Sequence, residues 1–268
     1  MSLDWDIPFF ISIPHSGEQV PNEVTWLQGL SEPTLMRDVD RYVDILYKPV
    51  IQNQNISSIV SPWHRYVVDL NRTDDQYDSR AVIGAPKPQG TEPRGLHWCI
   101  TTENETLIKE PMTQVLHEIL VGRYYQPFHE SVHELRSQIY QAHGKVFHLD
   151  LHSMPSLGTA LHPDPGESRA EVVVSDFSGK SANSEYKDLV MQAYQKAGFQ
   201  VAYNWPYVGG GITRMYGDPD NQFHTVQVEL NRALYMDEKS KQLKEDQLPE
   251  IQKKLATAIV HIQNGLKE

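Results

Sequence analysis

The residues that could do chemistry gather in five short segments. The first is Pro14-His15-Ser16-Gly17-Glu18, directly after an apolar run. His15 and Glu18, three positions apart in a glycine-containing turn, can converge on one cation. With a distant second histidine they would form a three-ligand zinc set that leaves a position open for water. H-x-x-E alone is a pattern that chance often produces. The second segment, VFHLDL at 146–151 followed by His152, offers that histidine. Strand alternation puts Asp150 and His152 on one side. Asp150 could orient a metal-bound imidazole, or cap a helix or close a turn. The third segment runs from Arg65 to Arg72 (RYVVDLNR). Its arginines and Asn71 present donors suited to a carboxylate or a developing oxyanion, although structural salt bridges are the commoner use of arginine.

In the fourth segment, 226–231 (VQVELN), Gln227 and Glu229 share one strand face while Val226, Val228 and Leu230 take the other. A glutamate there is costly unless it is paired, for example with Arg232, or works as an acid or base. The fifth, 209–214 (GGGITR), reads as a flexible turn delivering Arg214. It matches no phosphate-binding fingerprint. The chain has 12 histidines, so most must serve other ends; His97, His117, His129, His133 and His143 read as surface or packing residues.

These segments need elements to hold them. Short β-rich runs at 9–13, 56–60, 66–70, 146–151, 171–174, 200–203 and 225–230 alternate with helix-like stretches at 34–52, 104–140, 182–197 and 248–263. In the last, Leu248, Ile251, Leu255, Ile259 and Ile262 recur at helical spacing. Gly144 and Gly198 stand where helix C-terminal caps belong. The alternation predicts an α/β fold with a mixed, largely parallel sheet covered by helices on both faces. Residues 73–103 and 153–169 read as long loops of the kind that carry function. Residues 1–268 read as one catalytic domain, with no internal repeat and no linker.

Composition narrows the function classes. The chain has 268 residues, 24 Lys+Arg against 35 Asp+Glu and a formal charge of −11, which argues against nonspecific nucleic-acid binding. A local basic pocket for an anionic small molecule is still permitted. The single cysteine, Cys99, excludes an intramolecular disulfide and a cysteine-rich metal site. The run Ile7–Ile13 follows Asp4 and Asp6 and contains Pro8, so it reads as a buried first strand rather than a leader. It is too short to span a bilayer. No membrane association is expected, and the cytoplasm is the expected compartment.

Taken in order, PHSGEQVP at 14–21, DVDRYVDILY at 38–47, RYVVDLNR at 65–72, LDLHSMPS at 149–156, GGGITRMYGDP at 209–219 and HTVQVELNRALYMDE at 224–238 resemble the N-formylglutamate amidohydrolase family. The family is more remotely similar to zinc carboxypeptidases and to the aspartoacylase and succinylglutamate desuccinylase group, which pair H-x-x-E with D-L-N-R and a later D-L-H. The resemblance implies a zinc-carboxypeptidase-like fold and a zinc ion held by His15, Glu18 and His152. It implies Glu229 as general base and Arg65 as the group that polarises the scissile carbonyl. Asn71 and Arg72 would hold one carboxylate of a small anionic acyl-amino acid, and Arg214 the second. Family members often carry Thr or Arg where this chain has Glu18, and Asp40 is then the replacement ligand. The implied reaction is hydrolysis of N-formyl-L-glutamate, or a close N-acyl amino acid, to formate and glutamate. The alternative is an amidase or carboxypeptidase-like hydrolase of larger acyl-amino acids or peptides.

Overall fold

The computed structural model describes residues 7–267. The leader reading, which turns on Asp4 and Asp6, lies outside the described residues.

Six strands form one sheet: β1 (Phe9–Ile13), β2 (Ser57–Val60), β3 (Val146–Met154), β4 (Val172–Ser175), β5 (Val201–Tyr203) and β6 (Phe223–Asn231), in the spatial order β2-β1-β3-β6-β4-β5. The first four in that order run parallel, β4 is antiparallel to β6, and β5 is parallel to β4. The sheet is therefore mixed and largely parallel, as the α/β pattern implies.

Its two faces differ in chemistry because side chains alternate along a strand. One face carries Phe9, Ile11 and Ile13 of β1, Phe147, Leu149 and Leu151 of β3, and Val226, Val228 and Leu230 of β6. Helices α2 (Val43–Asn53), α5 (Ser184–Lys196) and α7 (Leu248–Gly265) pack against it. Helix α7 buries Ile251, Leu255, Ile259 and Ile262, the stripe that its sequence period describes. The other face carries Ser12, His148, Asp150, His152, Gln227 and Glu229, all buried. It is covered by a second apolar cluster that includes Val67, Leu96, Trp98 and Phe128. That cluster draws on the long loops, α3 (Gln114–Leu120), α4 (Gln126–His143) and α6 (Gly211–Tyr216).

Helix ends follow local chemistry. Thr113 and Asn183 cap α3 and α5 through their side chains. Gly144 closes α4 at φ 70° and Gly198 follows α5 at φ 84°. Between α3 and α4, residues Val121–Tyr125 widen into a π turn that carries the Tyr125 hydroxyl to the Arg72 carbonyl, 2.9 Å away.

Three expectations need correction. Residues 66–70 are not a strand: Val67 and Leu70 are buried by the loop cluster, and Asp69 N–H bonds the Leu96 carbonyl instead of a sheet neighbour. The segment's β-branched pattern reflects burial, not a ladder. The helix expected over 34–52 is two, α1 (Glu32–Leu35) and α2, separated by a turn in which Tyr42 has φ 71°. The helix expected from 104 begins only at Gln114, three residues after Pro111.

Beneath the first loop, His64 is fully buried with Nδ1 accepting from Tyr66 N–H at 3.0 Å and Nε2 donating to the Leu35 carbonyl at 2.9 Å. Protonating Nδ1 would set hydrogen against hydrogen. Burial accordingly pushes its pKa down to about 4 from 6.5. The neutral form is the folded form, so this stabilisation is complete above pH 6.5 and is lost as pH falls from there towards 4. We expect the urea midpoint to drop across that window, and His64→Asn to flatten the drop while lowering the midpoint at pH 7. An unchanged pH slope in the variant would show that His64 is not a contributor.

Candidate functional site

The polar face ends in a cleft at the carboxyl ends of β1, β3 and β6, where open α/β sheets place their ligands. In the β3–β6 pairing, Asp150 lies beside Gln227 and His152 beside Glu229. β1 brings His15 alongside two residues beyond its end, and Gly17 lets that turn pass: a Cβ there would stand 2.2 Å from the Pro62 carbonyl carbon.

Two imidazoles are held in the same way. His15 Nε2 meets Asp69 Oδ1 at 2.9 Å, and His152 Nε2 meets Asp150 Oδ2 at 2.7 Å. Each ring is thereby fixed with Nδ1 turned towards Asp40, whose Oδ2 lies 3.0 Å from His152 and 3.6 Å from His15. One ligand atom from each of His15, Asp40 and His152 falls within 4.8 Å of the others, and all three residues are buried. His15 Nδ1 is buried with no hydrogen-bond partner. A buried polar atom left so is costly, and a cation would satisfy it. The set fits a metal ion, and a carboxylate behind each imidazole is the usual way of orienting such ligands.

Glu18 does not join this cluster. Its carboxylate is turned outward to Arg41, 2.7 Å away, and is over a third exposed. Asp40 occupies the third position because the break between α1 and α2 places it there, its N–H bonded to the His15 carbonyl. The sequence pattern of α2 hides that break.

Asp40 is held by more than the histidines. Arg232 Nη2 donates to its Oδ1 at 2.9 Å. Burial raises the Asp40 pKa, but the facing His15 and His152 imidazoles and the Arg232 charge outweigh it, leaving the carboxyl well below its usual range. Burial likewise opposes a charged His152, and the Asp150 and Asp40 carboxylates overcome it, so its pKa lies well above 6.5. Glu229 differs. Burial, with Asp40 adding to it against His152 and Arg232, raises its pKa to about 7. Gln227 Nε2 donates to its Oε1 at 2.9 Å, whereas Arg232 is engaged elsewhere.

The DLNR segment forms the next wall. Asp69 accepts from Arg65 Nη2 and Trp98 Nε1, both at 2.8 Å, as well as facing His15. Arg65 stacks on Trp98 at 4.6 Å and keeps a buried Nε without a partner. Asn71 Nδ2 reaches Gln227 at 3.2 Å and lies 3.5 Å from His152 Nε2, while its Oδ1 accepts from Ile212 N–H. This contact explains the glycine run. A Cβ on Gly210 would stand 2.2 Å from Asn71 Nδ2, and one on Gly211 2.8 Å from its carbonyl carbon. The run serves close approach, not delivery of Arg214. That residue is exposed on α6, stacked over Phe177, and is absent from the cavity wall.

Together these groups line a cavity of about 410 Å³, within the usual range for small-molecule sites. Loop 73–103 adds Arg94 and Trp98, and loop 153–169 adds Leu161 and His162. Arg94 carries no sequence signal, since it sits in a Pro- and Gly-rich stretch without periodicity. Among the described residues no helix is long and apolar enough to cross a membrane.

The profile of the family described as N-formylglutamate amidohydrolase matches residues 7–236. N-formylglutamate deformylase of Pseudomonas putida is 28% identical over 240 residues, covering 87% of this chain and 83% of that protein. The protein of the same name from Pseudomonas aeruginosa is 27% identical over 248 residues, covering 87% and 84%. The crystal structure of N-formylglutamate amidohydrolase from Ralstonia eutropha superposes with a TM-score of 0.83 at 26% identity, covering 97% of this chain and 95% of that one. The matched span includes every residue of the His15, Asp40 and His152 cluster and of the cavity around it, and the chain belongs to the N-formylglutamate amidohydrolase family of amide hydrolases.

Proposed function

We propose that the protein hydrolyses the amide of N-formyl-L-glutamate to formate and glutamate, with a zinc ion held by His15, Asp40 and His152. The observation that carries this reading is the buried cluster of two oriented imidazoles and one carboxylate, opening onto a cavity walled by arginines. The names of the relatives supply the substrate. Walls from both long loops favour a small acyl-amino acid over a peptide. A cytoplasmic setting accords with the free, buried thiol of Cys99.

Zinc, when bound, lowers the pKa of coordinated water towards ~7 and polarises a carbonyl oxygen. The chain's own groups do the rest. Glu229, with a pKa raised to about 7, is poised to take a proton from the attacking water and give it to the departing amine nitrogen. Gln227 fixes one of its oxygens. Arg65, locked by Asp69 and the Asp38 carbonyl, has its unpartnered Nε to offer to the oxygen that gains charge. Asn71 and Arg72 hold the carboxylate next to the scissile bond, and the Tyr125 hydroxyl steadies Arg72 through its carbonyl.

Elemental analysis should find about one zinc per chain. Asp40→Asn should lose most of it, and Glu18→Gln should keep it. The reverse pattern would restore Glu18 to the ligand set. For Glu229→Gln we expect kcat to fall ~10²–10⁴-fold, with zinc content and Tm near wild type. A folded, zinc-loaded variant with near-normal kcat would exclude Glu229 as the base. Arg65→Ala should act chiefly on kcat, because its contact strengthens as the oxyanion forms. An effect confined to KM would reassign Arg65 to ground-state binding.

A further inference from the structure

A dianionic amino-acid substrate needs two anion-binding points, and the guanidinium groups of this cavity are not equally available. Arg232 gives its donors to Asp40, Ser153 and the Arg37 carbonyl. Arg65 gives both terminal nitrogens to Asp69 and the Asp38 carbonyl. Arg72 spends Nε on the Arg94 carbonyl and Nη1 on the Asn71 carbonyl. Arg94 makes one side-chain hydrogen bond, Nη2 to the Leu161 carbonyl at 3.1 Å, and no ion pair among the described residues. A guanidinium has five N–H donors, so most of this fork is uncommitted. Glu92, two residues earlier in the same wall, is engaged by Lys87 at 2.9 Å and does not neutralise it.

Position separates the two arginines that remain. Asn71 ties the Arg72 end to His152 and so to the reacting centre. Arg94 belongs to loop 73–103 and touches loop 153–169, which puts it where those two loops meet. In an acyl-glutamate, the α-carboxylate sits beside the scissile amide and the side-chain carboxylate lies two methylenes further out. Burial lowers the Arg94 pKa, and the Arg72 charge adds to that against Asp38. Two cations sharing one wall, neither ion-paired among the described residues, are relieved by an incoming anion.

We propose that Arg94 binds the side-chain carboxylate of the substrate and makes the site selective for an acidic acyl-amino acid, a proposal that rests on the hydrolytic reading above. This is the role that the sequence resemblance gave to Arg214. The test compares kcat/KM for N-formyl-L-glutamate and for its neutral isostere N-formyl-L-glutamine in zinc-loaded wild type, Arg94→Gln, Arg94→Lys and Arg214→Gln. Arg94→Gln should lose about 10–100-fold on formylglutamate, mainly through KM, the loss expected for a charge-assisted carboxylate contact. Its activity on formylglutamine should stay close to wild type, which also reports that the variant is folded. Arg94→Lys, with charge but no fork, should retain part of the preference. Equal losses on both substrates would overturn the proposal, making Arg94 only a tie between loops. So would loss of the preference in Arg214→Gln with its retention in Arg94→Gln. A wild type that hydrolyses both substrates equally would overturn the formylglutamate reading itself, an outcome visible before any variant is made.

Discussion

The structure turns on one carboxylate. Asp40 is buried between His15, His152 and Arg232. An ionised group placed there without partners would cost several kcal/mol. Its neighbours are consequently fixed as a set. Asp69 and Asp150 hold the far nitrogens of the two rings, and Arg232 with Ser153 holds the oxygen that the rings do not face. Removing any one partner leaves a buried charge or an orphaned nitrogen. The local fold yields to this need: the chain breaks between α1 and α2, Tyr42 takes a left-handed conformation, and the Asp40 N–H ties the break to the His15 turn.

The sheet makes that arrangement affordable by dividing its labour. One face is largely apolar and carries α2, α5 and α7. Strand alternation then sends His148, Asp150 and His152 of β3 and Gln227 and Glu229 of β6 to the other face, where Ser12 links His148 to Asp150 at 2.7 and 2.5 Å. Helices α3, α4 and α6 cover part of that face, and the long loops cover the rest, bonding inward through their own backbone and side chains. Trp98 reaches Asp69 from loop 73–103, and Leu161 meets Arg94 from loop 153–169. Glycines serve the same end, bringing the 210–211 backbone against Asn71 closer than any side chain would permit.

Periodicity made part of this legible. The stripe of α7 and the alternation of β3 and β6 are local properties, and the structure repeats both. What depends on distant contacts was not legible. Residues 66–70 look like a strand because they are buried and β-branched, yet a loop buries them. Asp40 sits in a pattern that reads as continuous helix, so the family resemblance names it, as the replacement for Glu18, where periodicity does not. Glu18 has motif spacing with His15, but Arg41, 23 positions later, draws it outward. Arg94 lies in a stretch whose fold is set by such ties as that of Gly95, where a Cβ would stand 2.0 Å from the Gln76 carbonyl oxygen. No short-range pattern announces it.

The central claim is that His15 and His152 turn Nδ1, not Nε2, towards a shared metal, with Asp40 between them. Crystals of the zinc-loaded protein, measured at the zinc absorption edge, test it directly. The account predicts one anomalous peak per chain, within bonding distance of His15 Nδ1, His152 Nδ1 and an Asp40 oxygen, with Asp69 and Asp150 still bonded to the opposite nitrogens. A peak bound through Nε2, or one held by Glu18 with Asp40 still paired only to Arg232, would contradict it.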